Sequence, residues 1–158
     1  MGKVSLTENF EEQYKITIKD KHTVGGEVSE STTELFGDLN VAKNGYIIRY
    51  TEHDGDFAGT TTKIFVIEPD SVRLSRGGRY GLDLVLERGK RHNCAYDTPY
   101  GSLQMGVYAK DVDSKMSECG GNLKFAYSLD IGGGEVSDNE LEVIVKDLGK
   151  RGEETCQR

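Results

Sequence analysis

Apolar residues in this chain recur at every second position, in short runs cut apart by glycine. Tyr14, Ile16 and Ile18 fall on one face of such a run, with Lys15, Thr17 and Lys19 on the other. Tyr46, Ile48 and Tyr50 alternate with Ile47, Arg49 and Thr51, and Leu82, Leu84 and Leu86 alternate with Asp83, Val85 and Glu87. The same habit continues through Leu103, Met105 and Val107, then through Leu123, Phe125, Tyr127, Leu129 and Ile131, and ends with Leu141, Val143 and Val145. Ile64 and Val66 belong to a stretch that is apolar on both faces. A period of two is the signature of strands whose successive side chains point to opposite faces of a sheet. No window carries a convincing apolar stripe of helical period, and the nearest approach is the short acidic segment 9–13.

The punctuation agrees with the period. Gly occurs 20 times and Pro only twice. The candidate turns are Gly25-Gly26, Asn44-Gly45, Asp54-Gly55, Pro69-Asp70, Gly77-Gly78, Arg88-Gly89-Lys90, Thr98-Pro99, Gly120-Gly121 and Gly132-Gly133-Gly134. Asn-Gly and Asp-Gly pairs supply the positive φ angles that tight hairpins require. Short turns between successive strands predict an all-β antiparallel meander of about 8–10 strands. Closure into a barrel is favoured over a sandwich, because each strand lies beside its predecessor and closure removes exposed edges. One barrel domain is expected over residues 1–147, followed by a polar tail, 148–158, expected to be disordered.

Charge and composition narrow the function classes. Against 27 Asp+Glu stand 20 Lys+Arg, a net charge of −7, which argues against nucleic acid and against an anionic membrane surface as partners. No apolar run has the length of a membrane-spanning helix, and Glu8, Glu11 and Glu12 leave the N-terminal stretch without an apolar leader core. Cys94, Cys119 and Cys156 are odd in number and widely spaced, neither a disulfide framework nor a metal motif. The expectation is a cytoplasmic protein with reduced thiols. His22, His53 and His92 show no zinc-ligand spacing, so no metal and no cofactor are expected.

The motifs Gly59-Thr60-Thr61-Thr62, Gly89-Lys90-Arg91-His92, Thr98-Pro99-Tyr100-Gly101 and Gly106-Val107-Tyr108 occur in an order that resembles the YwiB-like family. The resemblance runs from about Tyr14 to about Lys146, and the tail beyond departs from it. Members are small bacterial proteins of unknown function with a calycin-like, lipocalin-resembling β-barrel. The resemblance therefore implies a fold, and it brings no activity and no catalytic residue.

Candidate site residues come from the residues themselves. In the segment 91–101, alternation puts His92, Cys94, Tyr96 and Thr98 on one face and Arg91, Asn93, Ala95 and Asp97 on the other. An inward-facing imidazole and phenol would orient a ligand in a lipocalin-sized cavity, whereas the plain alternative is core aromatics and a hairpin. The loop 54–62 offers amides and hydroxyls to an anion, with Arg76, Arg79 or Arg91 to add charge; as plain structure, its threonines are ordinary strand residues. Arg73, Arg76, Arg79, Arg88, Lys90, Arg91 and His92 form one basic region in an acidic chain. Glu52 follows Tyr50 on the same face and could meet an arginine across the barrel. Cys94 lies on the face of His92, which admits thiolate activation, although a buried cysteine usually acts as a small hydrophobe.

The leading expectation is non-enzymatic binding of a small, partly apolar, anionic ligand in or at the mouth of the barrel. The candidate residues are Arg91, His92, Tyr96, Tyr100, Glu52, Tyr50, Thr60 and Thr62. One alternative is an enzyme of unrecognised type using the same cavity, with His92 as acid/base. Another is a protein-interaction module with a side-chain-filled barrel and contacts at Phe65, Ile67, Val85 and Ile144.

Overall fold

The computed structural model of the chain describes residues 13–55, 58–77, 81–132 and 134–149. Ten strands follow one another: β1 (Tyr14–Val24), β2 (Glu27–Ala42), β3 (Gly45–Thr51), β4 (Thr61–Ile67), β5 (Ser71–Arg76), β6 (Leu82–Glu87), β7 (Arg91–Thr98), β8 (Gly101–Ser117), β9 (Gly120–Ile131) and β10 (Gly134–Asp147). Each pairs with its predecessor, and β10 returns to pair with β1, so the sheet closes on itself. The closing seam is continuous in register from Tyr14 opposite Asp147 to Thr23 opposite Asp138. This is the all-β antiparallel barrel of calycin-like type that the alternation and the resemblance predict. Among the described residues no helix is long and apolar enough to cross a membrane.

Closure decides where the apolar face goes. One parity of each strand points inward and meets the same parity of its neighbours, as in the row Ile16–Leu35 and the row Leu39–Ile48–Ile64–Leu74–Leu84. Ile16, Ile48, Leu86, Val107, Leu123 and Val143 are fully buried there. Burying each such side chain contributes about 1.5–3 kcal/mol, which makes this interior the main source of stability.

The two ends differ. The turns at 43–44, 68–70, 88–90 and 118–119 share one end with the beginning of β1 and the end of β10. Tyr14 closes this base, buried, its hydroxyl donating to the Glu118 carbonyl at 3.1 Å. The opposite end is uneven, because β3, β4, β5 and β6 have 7, 7, 6 and 6 residues while β2, β8 and β10 have 16, 17 and 14. A tall wall therefore stands over a short one and leaves a mouth between them. The thinnest junction is between β6 and β7, which share one register pair, Leu82 with Tyr96, among the described residues. Near the base β8 bonds instead to the turn between them, the Gly89 N–H donating to the Ala109 carbonyl at 2.8 Å.

Three sequence expectations change. Gly120-Gly121 is no turn: both residues belong to β9, and the turn is Glu118-Cys119. Their φ angles are +113° and +143°, and a Cβ on Gly121 would collide with the Lys115 carbonyl, so glycine serves here for close strand approach. Asp54-Gly55 sits inside the longer loop 52–60 rather than forming a two-residue hairpin. Cys119 is disulfide-bonded while Cys94 is free and buried, so the expectation of reduced thiols fails at Cys119. Sequence spacing carries no signal for that bond, since a pair closed by the fold need not be near in sequence. The segment 9–12, Arg79 and the tail from residue 150 lie outside the described residues.

Gly121→Ala is expected to cost about 2 to 4 kcal/mol, from overpacking and backbone strain together. Gly25→Ala, at φ +58° with nothing within 4 Å, is expected to cost about 1 kcal/mol. Urea unfolding of the two variants measures the difference.

Candidate functional site

Above the packed base, the inward parity turns polar. Tyr50 and Thr62 face one another across β3 and β4, and Thr62 pairs in turn with Arg76 on β5. The backbone ladder continues one step beyond the strands: the Glu52 N–H donates to the Thr60 carbonyl at 3.0 Å, and the Gly59 N–H donates to the Glu52 carbonyl at 2.7 Å. Glu52 and Thr60 thus share the inner face with Tyr50 and Thr62. Thr60 and Thr62 are 1% and 2% exposed, so their hydroxyls lie in the wall and not in solvent. Among the positions raised by the sequence, Tyr50, Glu52, Thr60 and Thr62 are brought together, with Arg76 as the cation of the group.

The electrostatics show the same neighbourhood. Burial pushes the Tyr50 phenol up to about 12, partly offset by its hydrogen bond with Thr62, with Glu52 adding to the rise and Arg76 opposing it. Burial also holds the Glu52 carboxyl above its ordinary value, against the attraction of Arg76. Tyr127, inward on β9, is raised by burial and senses Asp20, Cys94 and Arg76. Arg76 therefore acts on groups from β3 and β9, on both sides of the lumen.

Beside these polar groups lie Ile18, Leu35, Leu82, Met105, Leu129 and Leu141, partly buried apolar residues packed against the core. By register these side chains point inward, as Leu82 beside Arg76 and Leu141 beside Phe125 illustrate. These inward side chains keep partial solvent exposure, unlike the fully buried ones nearer the base.

The remaining candidates are elsewhere. Tyr96 is inward, opposite Leu82, on the mouth half of β7. Tyr100 sits on the β7–β8 turn at 99% exposure and does not line the lumen. His92 begins β7 at the base, its Nε2 2.9 Å from Glu87 Oε1. It therefore does not share an end with Tyr96. The hydrogen bond from His92 and the charge of Lys90 hold the Glu87 carboxyl below its ordinary value. Thiolate activation at Cys94 is not supported, because burial pushes that thiol up, with Asp83 adding to it. Arg91 points outward and crosses Gly106 to reach Asp130, with Nε–Oδ2 3.1 Å and Nη2–Oδ1 2.6 Å.

The basic region read from the sequence does not form a bare cationic patch among the described residues. Arg73 is held by Asp83, Arg88 lies between Asp70 and Asp111, Lys90 and His92 share Glu87, and Arg91 takes Asp130. The apolar positions Phe65, Val85 and Ile144 are half-buried, and Ile67 is exposed. A separate outer cleft of about 490 Å³ crosses β2, β1, β10, β9 and β8. Its charges alternate by register, Lys124–Glu142–Lys19 and Glu140–Lys21–Glu30, so they offset one another as cross-strand pairs do. No group of three or more metal-ligating side chains occurs among the described residues.

The raised Tyr50 phenol fixes a sign. Because the folded value lies above the free value of 10.0, its contribution is complete below about pH 10 and is lost as pH rises through about 12. The expected loss is on the order of 2 to 3 kcal/mol, and Tyr50→Phe removes it from the alkaline limb of a stability–pH curve measured by urea unfolding.

The comparisons agree with this geometry. The crystal structure of the ywiB protein from Bacillus subtilis superposes with a TM-score of 0.71 at 21% identity, covering 89% of this chain and 97% of that one. At that identity the match establishes the fold. No curated protein matches the chain. A family profile described as a domain of unknown function, DUF1934, matches residues 16–143, from the first inward residues of β1 to the middle of β10. With most of the barrel matched by that profile, the chain belongs to the DUF1934 family, the YwiB-like barrels of unknown function.

Proposed function

We propose that this barrel binds a small, partly apolar, anionic molecule at its mouth, without catalysing a reaction. The observation that carries the reading is Arg76, which takes an inward position on β5 beside Tyr50, Glu52 and Thr62 and above a packed apolar base. A guanidinium in a partly desolvated wall is a strong receptor for a carboxylate, sulfonate or phosphate, because its hydrogen bonds are charge-assisted. The half-exposed Ile18, Leu35, Leu82 and Leu129 offer the apolar body of the ligand a surface to cover. A few polar groups in an otherwise apolar concavity is the usual composition of a ligand site. His92 has no part in this reading, since it pairs with Glu87 at the base.

Anilinonaphthalenesulfonate combines a permanent anion with an apolar ring body and is the probe of choice. One molecule is expected to bind per folded chain, read by fluorescence and checked for stoichiometry by native mass spectrometry. Arg76→Gln is expected to weaken binding by about tenfold or more, the loss of a charge-assisted hydrogen bond worth about 1.5–3 kcal/mol. Equal binding by both chains, with unchanged circular dichroism, rejects the mouth as the site.

A further inference from the structure

Strand β2 has a neighbour on both sides for only part of its length. Residues 27–37 pair with β1, whereas the pairing with β3 covers residues 37–42 and stops near the end of β3. The chain beyond β3 does not continue that row, because Glu52 bonds back to Gly59 and Thr60 in the β3–β4 ladder. Among the described residues, the stretch 28–34 therefore has a bare edge on the side away from β1, and residues 27–34 are all exposed. The two hairpins fix which groups stand on that edge. Val24 faces Glu27 across the turn Gly25-Gly26, and Ala42 faces Gly45 across the turn 43–44. Residues flanking such tight turns bond to each other, and main-chain direction alternates along a strand. Odd-numbered residues of β2 thus address β1, and even-numbered ones address β3 or, beyond its end, open solvent. The N–H and C=O groups of Val28, Glu30, Thr32 and Glu34 have no strand partner among the described residues. A second stretch with a strand on one side only, β8 beyond Ala109, is met by the base: Val112 is buried, and Ser114 Oγ donates to Glu68 Oε2 at 3.0 Å.

A bare edge is a template for one more strand, held by main-chain hydrogen bonds and selected by its side chains. Lysine and proline are the usual blocks on such an edge, and none occurs from residue 27 to residue 34, nor any arginine. The outer face of the edge carries Val28, Glu30, Thr32 and Glu34, with Lys21 opposite Glu30 on β1 and Lys15 Nζ 3.3 Å from Glu34. Towards the open side, only acidic charge is presented. A second copy of the chain would bring the same glutamates and its own net charge of −7 to the seam, so like charges oppose it. We infer that the β2 edge pairs with an extended, basic segment of another protein, whose Lys or Arg side chains meet Glu30 and Glu34. The main-chain bonds supply the affinity, and the carboxylates supply the choice of partner. This surface involves neither Arg76 nor the mouth, and it stands or falls separately from the ligand reading.

The test is amide hydrogen exchange of the full chain, read residue by residue by NMR, with a short peptide of alternating lysine and threonine as the probe. In the free chain the amides of Val28, Glu30, Thr32 and Glu34 are expected to exchange fast, and those of Ser29, Ser31 and Thr33 slowly. Saturating peptide is expected to slow the first set by about tenfold or more, while a peptide of alternating glutamate and threonine leaves it fast. Thr32→Pro is expected to keep the fold, since the N–H it removes faces open solvent, and to lose the peptide effect. Glu30→Lys, which keeps every main-chain group, is expected to weaken binding of the lysine peptide by about tenfold. No slowing by the lysine peptide, or equal slowing by both peptides, overturns the proposal. So does a folded Thr32→Pro chain on which the peptide still protects Val28 and Glu34, or a Glu30→Lys chain that binds the lysine peptide undiminished. Protection of the same amides that rises with protein concentration in the absence of peptide assigns the edge to a second copy and overturns the basic partner.

Discussion

The pairing of β1 with β10 is the constraint on which everything else rests. Ten consecutive register pairs, from Tyr14–Asp147 to Thr23–Asp138, join the two ends of the chain's meander. Without them the sheet would have two open edges, each with a row of unpaired backbone groups. With them, the inward parity of every strand is fixed, because a slip of one residue would turn an entire strand inside out. Ile16 and Ile18 face the lumen beside Val145 and Val143 only while this register holds, and Lys15, Thr17 and Lys19 face water for the same reason. The long reach of that contact also makes it entropically expensive, so the closing seam depends on the apolar base it completes.

Unequal strand length then makes the two ends of the closed barrel different. Strands β3 to β6 end early, while β2, β8 and β10 run on past them. Near the base, all ten strands contribute side chains and the interior fills with apolar residues such as Leu86, Leu123 and Val143. Towards the mouth the short strands no longer supply a facing partner. Ile18, Leu35 and Leu129 keep their inward orientation yet retain solvent contact. The interior is therefore packed at the base and only partly buried towards the other end.

Most of the fold was legible in the sequence, because the period of two is a local signal that closure leaves intact. The glycine turns were legible where a tight hairpin required them, as at Gly25-Gly26 and Arg88-Gly89-Lys90. Gly120-Gly121 misled because two glycines signal positive φ, and β9 uses positive φ for close strand approach instead of a turn. The site was legible only in part. Alternation put Tyr50 and Glu52 on one face, but bringing Thr62 and Arg76 beside them needed the registers of β3, β4 and β5. The segment 91–101 drew attention through its density of functional groups. Its placement depends on tilt and strand length, which put His92 at the base, Tyr96 towards the mouth and Tyr100 in solvent.

The surface charges and the inner charges have different physical standing. Arg73, Arg88 and Arg91 lie outside, each beside a carboxylate, and their exposure means that such pairs contribute little to stability. Their abundance in the sequence suggested a cationic region, and cross-strand partners remove it. Arg76 and Glu52 stand on the inner wall, where each charge gives up part of its hydration and the medium screens less. A side chain placed there costs free energy that an apolar residue in the same position would not. The attraction of Arg76 does not outweigh burial at Glu52, whose carboxyl remains raised.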